Sequence, residues 1–243
     1  MVTRPSVNRI DAPGTGKQVW RAWPTLEALP AADIDSWRSA VVVAAHPDDE
    51  VLGAGGTIAL LSAAGASIRL VAVTDGEASH PGANDTGALA RRRTAETTAA
   101  LHELGARDVE VVRLAMPDAR LPAVEEDLAA VLTDLCGGFD VCFAPWHDDG
   151  HADHETAGRA TRRARPDVLK YPIWMWHWAV PADSRVPWHR ACRVPLPADV
   201  ADRKRAAIAA FASQLSERPG QAEPVLPPGI VAHFTRTDEV FLR

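Results

Sequence analysis

Strand-like runs that alternate with helix-like stretches constrain this chain more than any other feature. Residues 40–45 (AVVVAA) form an unbroken apolar run, the pattern of a strand buried on both faces. Comparable runs recur at 67–73 (SIRLVAV), 108–114, 139–144 and 168–173. Between them lie helix-like stretches over 50–64, 88–104, 123–135 and 153–164, the second closed by Gly105 just past its end. Strand and helix in alternation imply βαβ units, which lay strands side by side, parallel, with helices on both faces. The expected fold is α/β, a Rossmann-like three-layer sandwich with a mostly parallel central sheet. A length of 243 residues suits a single domain over 1–243: an N-terminal arm over 1–38, a core over 39–215 and C-terminal strands over 216–243. Pro5, Pro13, Gly14, Gly16, Pro24 and Pro30 make the arm irregular, with Trp20, Trp23 and Trp37 as its candidate anchors. Residues 174–198 read as irregular, 199–215 as helix, and 230–242 as one or two last strands.

Composition removes several classes. Hydrophobic residues at 47% and charged residues at 24% are globular values and exclude a mainly disordered chain. A formal charge of −6 argues against general nucleic-acid binding. No apolar run approaches the roughly 18 residues of a membrane span. The opening MVTRPSVNRIDAPGTGK lacks the apolar stretch of a secretory signal. Cys136, Cys142 and Cys192 are odd in number and far apart, with no CxxC pair, which fits a reducing cytoplasm better than a disulfide framework.

In a parallel sheet, sites form beyond the carboxyl ends of the strands. The first strand runs into His46-Pro47-Asp48-Asp49-Glu50, the second into Thr74-Asp75-Gly76-Glu77, the third into Met116-Pro117-Asp118, and the fourth into Trp146-His147-Asp148-Asp149-Gly150-His151-Ala152-Asp153-His154. All four ends carry carboxylates and two carry histidines at short spacing. Imidazole with carboxylate suits a divalent ion, Zn²⁺ first, with Fe²⁺ as a competitor. His46 and Asp49 can reach one ion across a turn, with His151 or His154 as third ligand; spacing does not choose between the two. Asp48, pointing elsewhere, is placed to take a proton from water that the ion activates. The histidine that is not a ligand can, as imidazolium, stabilise an oxyanion and protonate a leaving amine, with Asp153 orienting it and keeping it protonated.

Each motif alone has a structural reading: Asp48-Asp49-Glu50 as a helix N-terminal acid cluster, HxDH as surface. Their joint placement at strand ends favours a site. Gly53, Gly55 and Gly56 suggest close helix–sheet packing rather than a phosphate loop, since the neighbouring acids would repel a pyrophosphate. Glu50 is either a partner of a metal-bound histidine or a first-turn acid. Trp174, Trp176, His177 and Trp178 line a pocket mouth or pack in the core. His80, His102, His189 and His233 carry no supporting pattern, and the run Arg91-Arg92-Arg93 reads mainly as a solvated helix face.

The segment AAHPDDEVLGAGGTIA (44–59) resembles the signature of the LmbE-like, or PIG-L, family of zinc-dependent de-N-acetylases. VTDGEAS (73–79), RTAETTAALHELGA (93–106), LAMPDARL (114–121), APWHDDGHADHETAGRA (144–160) and KRAAIAAFASQ (204–214) resemble later blocks of that family in the same order. The resemblance implies His46, Asp49 and His154 as ligands of Zn²⁺, Asp48 as general base, and His151 as acid and oxyanion stabiliser held by Asp153. It also sets Arg93 and Asp118 where sugar-contacting residues fall. Ala152 stands where the family often has proline. The implied activity is hydrolysis of an N-acetyl group on an N-acetylglucosamine-type sugar or its conjugate, giving acetate and a free amine. The alternatives are deacylation of another amide or a longer N-acyl chain, and a metal- or nucleotide-binding module without catalysis. The expected partner is a small acetylated sugar conjugate, with no nucleic acid and no membrane span, and a homo-oligomer is compatible with the sequence.

Overall fold

The computed structural model describes residue 10 and residues 13–80, 85–217 and 223–243. The arm is more regular than its prolines suggest, because Trp20 and its neighbours give it an apolar side to bury. It winds into two short turns, α1 (Lys17–Arg21) and α2 (Thr25–Ala28). Trp20 is fully buried and donates its indole N–H to the Trp176 carbonyl at 2.8 Å. Trp23 and Trp188 close around it, and Trp37 meets Phe143 edge-on, so all three tryptophans anchor the arm.

The core begins with β1 (Ser39–Ala44), α3 (Asp49–Ala63), β2 (Ser67–Ala72), α4 (Thr86–Glu103) and β3 (Glu110–Arg113). It continues through α5 (Glu125–Cys136), β4 (Val141–Pro145), α6 (Ala152–Ala164) and β5 (Val168–Tyr171). Then come α7 (Met175–Trp178), β6 (Ala191–Pro195), α8 (Ala198–Ala209), α9 (Ala212–Leu215), α10 (Pro228–Val231) and β7 (Asp238–Leu242). One sheet holds all seven strands in the order β3-β2-β1-β4-β5-β7-β6. β1 to β5 are parallel, and β7 runs antiparallel to both β5 and β6. Ala40, Val42 and Ala44 enter one core with residues of α3, α4, α8 and the arm, while Val41, Val43 and Ala45 enter another with α5 and α6. That two-sided burial is why the first run has no polar residue.

Two local expectations change, and a third, one or two strands over 230–242, is met by one strand. Residues 174–198, read as irregular, contain α7 and β6. In β6, Cys192 and Val194 are buried between more exposed residues, but five residues ending in a proline are too short to stand out. The helix expected over 199–215 breaks after α8, where Phe211 turns into the core. Residues 230–242 supply one strand, β7, behind a helical turn.

The glycines of α3 serve packing. A Cβ on Gly53 would fall 2.2 Å from the Tyr171 ring, and one on Gly56 2.5 Å from Leu196. Gly158 of α6 is tighter in kind: a Cβ there would lie 2.4 Å from the Pro145 carbonyl, a backbone atom that has no rotamer to yield. Gly158→Ala should therefore destabilise the fold by about 1–3 kcal/mol, the range for overpacking. Denaturant unfolding checks this; an unchanged midpoint would contradict the tight α6–β4 contact.

β1 and β4 are neighbours, yet the chain leaves them in opposite directions, to β2 and to β5. Their carboxyl ends flank a crevice, the usual place for a ligand in an open α/β sheet. The HPDDE and HDDGHADH segments leave from those two ends.

Candidate active site

Pro47 and a strained Asp48 make the turn after β1. Asp48 has φ 124° and ψ −30°, a conformation rare for a non-glycine residue. Three contacts hold it: its N–H donates to Glu50 Oε2 at 3.1 Å, and Arg93 donates to the Pro47 carbonyl at 2.6 Å and to Asp48 Oδ2 at 3.1 Å. The turn sends Asp49 toward His46, whose backbone N–H donates to Asp49 Oδ2 at 2.9 Å. On the other wall, the loop after β4 brings His151 to the start of α6 and His154 into its first turn.

His46 Nδ1, His154 Nε2 and the Asp49 carboxylate converge. The two nitrogens lie 3.2 Å apart; Asp49 Oδ1 is 3.2 Å from His154 Nε2, and Oδ2 is 3.5 Å from His46 Nδ1. The far nitrogen of each ring faces carboxylate. His154 Nδ1 meets Asp149 Oδ2 at 2.8 Å, and His46 Nε2 lies 3.3 Å from both Asp118 and Asp153. If those far nitrogens carry the hydrogens, the near ones present lone pairs to each other and to a carboxylate. Three acceptors facing one point need a cation. Ligand bonds of about 2.0–2.2 Å at tetrahedral angles place donor atoms roughly 3.3–3.6 Å apart, which matches this spacing. The residues present fit a divalent ion.

His46 also heads a second cluster, through Nε2 with Asp118 and Asp153. Both acids there are already engaged: Asp153 accepts from the Ala119 and Leu121 amides at 2.8 and 3.2 Å, and Asp118 from the Ala78 amide at 2.8 Å. Their arrangement fits partners that orient the His46 ring. The third imidazole, His151, has its ring centre 4.6 Å from that of His154 and 5.0 Å from that of His46.

Charge follows the geometry. Burial opposes a charged His154, but Asp49 and Asp149 outweigh it and lift its pKa to about 9. Burial likewise opposes a charged His46, and Asp118, Asp153 and Asp49 raise it well above the ordinary value. Burial pushes Asp48 up to about 7, against the pull of the Arg93 guanidinium. Burial, then the Asp48 charge, lifts Glu50 to about 8, which favours its neutral form under the turn. His151 is pushed well below the ordinary histidine value, by burial and then by His154 and His46, so its surroundings disfavour the protonated acid expected at this position, and Asp153 is engaged elsewhere. Its Nδ1 is buried with no hydrogen-bond partner among the described residues.

A cavity of about 190 Å³ opens onto this cluster. His46, Asp48, Asp49, His151 and His154 line its floor with Arg93 and Asp118, while Leu52, Ile173, Trp174, Val225 and Leu226 form an apolar wall. The structure thus brings every anticipated site residue to one place except Asp153, which faces His46 and the 119–121 turn instead of orienting His151. Arg93 is buried against Asp48, whereas Arg91 and Arg92 are exposed. Glu50 partners the Asp48 amide rather than a histidine. The aromatic run divides: Trp174 reaches the cavity, Trp176 packs on Trp20, and Trp178 stacks on Trp146. Sequence reasoning gave no role to Asp149, which is fully buried and accepts from His154 and from the Ile173, Trp174 and Met175 amides. Its one signal was an acid at the end of an apolar strand.

An open, mostly parallel sheet with a His/Asp cluster at its switch point defines a class, the α/β proteins that carry a metal-type site on the strand ends. A family model described as PIG-L, GlcNAc-PI de-N-acetylase, matches residues 41–165 of the 243, and the chain belongs to that family. It is 32% identical over 154 residues to 1D-myo-inositol 2-acetamido-2-deoxy-alpha-D-glucopyranoside deacetylase 2 of Catenulispora acidiphila, covering 52% of this chain and 51% of that protein. It is 30% identical to the deacetylase of that name from Mycolicibacterium smegmatis, over 58% of this chain and 59% of that one. The chain therefore spans about half to three fifths of these curated relatives. In fold it is similar to N,N'-diacetylchitobiose deacetylase from Pyrococcus horikoshii, with a TM-score of 0.60 and 21% identity over 85% of this chain and 82% of that one.

Proposed function

We propose that this protein is a zinc-dependent hydrolase that removes the acetyl group from an N-acetylated amino sugar or its conjugate. The observation that carries the reading is the convergence of two imidazole nitrogens and one carboxylate within 3.2–3.5 Å of one another at the floor of a cavity. The deacetylase names of both curated relatives support the substrate class.

His46, Asp49 and His154 would hold the ion, and Zn²⁺ suits that donor set. When bound, it supplies a Lewis acid and lowers the pKa of a water toward about 7. Arg93 fixes Asp48 through Oδ2, and Asp48 lines the cavity. Asp48 takes a proton from the attacking water as the new carbon–oxygen bond forms. It returns that proton to the sugar nitrogen as the carbon–nitrogen bond breaks, and acetate and a free amine result. His151, whose surroundings favour the neutral ring, donates a hydrogen bond to the acetyl oxygen as that oxygen becomes negative. Asp153 orients His46. Asp118, which lines the cavity, and Trp174 contact the sugar. Among the described residues no helix is long and apolar enough to cross a membrane, and the three cysteines are free and buried, in keeping with a reducing compartment such as the cytoplasm.

The apolar wall of Leu52, Ile173, Trp174, Val225 and Leu226 gives a second reading some support: a longer acyl chain or an apolar aglycone lying against it. Incubating zinc-loaded protein with a panel of N-acetylglucosamine conjugates and an N-acyl length series, and assaying free amine, separates the readings. Acetate release supports deacetylation, faster release of longer acids supports the second reading, and no release from metal-loaded protein sinks both.

Metal binding should also release protons. The metal-free pKa of His154 is about 9. Below that pH the ring must lose a proton before Nε2 can ligate, so zinc affinity should rise with pH, by about tenfold per unit for each proton displaced. Chelator competition at pH 6.5, 7.5 and 8.5 checks this; a flat profile would mean that the ring is already neutral in the metal-free protein and would contradict its raised pKa.

A further inference from the structure

A second cavity, of about 170 Å³, shares no lining residue with the active-site cavity. Lys170, Arg162, Arg190 and Arg243 line it with His147, and Asp148 is its one acid. Four basic side chains, three of them guanidinium groups, against one side-chain carboxylate stand out in a chain of formal charge −6. Lys170 sits in β5, a strand otherwise apolar but for Tyr171, and is only 5% exposed. Neighbouring arginines are neutralised: Arg159 pairs with Glu125, Arg163 with Glu126 and Arg165 with Asp167. Arg162, on the same helix as Arg159 and Arg163, instead points at His147 Nε2, 3.0 Å away. Among the described residues, Lys170, Arg162 and Arg190 have no ion-pair partner, and Asp148 lies against His147 at 3.6 Å. Burial, with Arg190 and Arg162 nearby, draws Lys170 down to about 8, the mark of positive charges crowded without a counter-charge.

We propose that this cavity binds a small tetrahedral oxyanion, a sulfate or phosphate group, at a site separate from the active site. A buried ammonium at the base and two guanidinium groups at the rim offer the charge-assisted donors such a group takes. An occupant would touch His147 and Asp148, the two residues before Asp149, whose carboxylate holds His154. Occupancy would thus stiffen the loop that positions a metal ligand.

Sulfate is the direct probe, because it competes weakly for zinc. Melting temperature is measured for the zinc-loaded protein in 0–20 mM sulfate against chloride at matched ionic strength, for the wild type and for Arg162→Gln/Arg190→Gln. Both arginines are exposed, so the double variant should fold; Lys170→Gln serves as an independent variant. The expected result is a saturable rise of about 3–6 °C for the wild type, what a ligand at about ten times its Kd gives a domain of this size, and its loss in the variants. A rise of equal size in the double variant, or in chloride, overturns the proposal, as does no rise at all. Glycerol 3-phosphate and inorganic phosphate, run in parallel, separate the sources: tighter binding of the ester assigns a phosphorylated metabolite, and equal binding assigns the free ion.

Discussion

Replacing Asp48 by Asn will lower turnover by a hundredfold or more while zinc stays bound. The side chain keeps its size and can still accept from Arg93, so the strained turn that aims Asp49 at His46 should persist. What disappears is a carboxylate held near neutrality, at about 7, by burial opposed by Arg93. That value is well matched to accepting a proton from water and then giving it up, and general-base catalysis of this kind contributes about 10²–10⁴-fold. Steady-state kinetics with parallel metal analysis checks the expectation. Near-wild-type turnover with a full complement of zinc would remove Asp48 from the chemistry.

Asp149→Asn will weaken zinc binding by about 10–100-fold, the range for losing an outer partner of a ligating histidine. Asp149 touches no ion in this account. Its Oδ2 accepts from His154 Nδ1 at 2.8 Å, which keeps the lone pair on Nε2, the nitrogen facing Asp49 and His46. The same carboxylate accepts from the Ile173, Trp174 and Met175 amides, so it ties the β4 loop to the cavity wall. An amide oxygen can serve either the ring or those amides, but not all of them as well. Competition with a zinc indicator measures the effect, and unchanged affinity would mean that another group fixes the His154 tautomer. Both substitutions act on a proton or a tautomer rather than on packing, so their effects should exceed that of Gly158→Ala on function.

What the sequence made legible was local. The continuous apolar run at 40–45 announced a strand buried on both faces, and β1 does split its side chains between two cores. His46 and Asp49, three apart across a proline turn, could be brought together from spacing alone, and they do converge, while the glycines of α3 could be read as packing. Features that depend on distant chain were hidden. Asp149 acquires its role from amides 24 to 26 residues away, and Asp153 from the 119–121 turn and His46. Short spacing made His151 the obvious partner for Asp153, but the helix start turns the acid toward the other wall. Arg93 looked like its exposed neighbours, although it shares the buried side of α4 with Thr97, Ala100 and Leu101, spaced at four, seven and eight residues. That periodicity was available as a signal. β6 escaped notice because short strands at a sheet edge carry little periodicity, and its pairing with β7 lies some fifty residues further along the chain.

Crystals of the zinc-reconstituted protein, measured on both sides of the zinc absorption edge, test the central claim most directly. A single anomalous peak per chain is expected, within bonding distance of His46 Nδ1, His154 Nε2 and an Asp49 oxygen. A peak on the opposite side of the His46 ring, between Nε2, Asp118 and Asp153, or no peak near either cluster, would contradict the account.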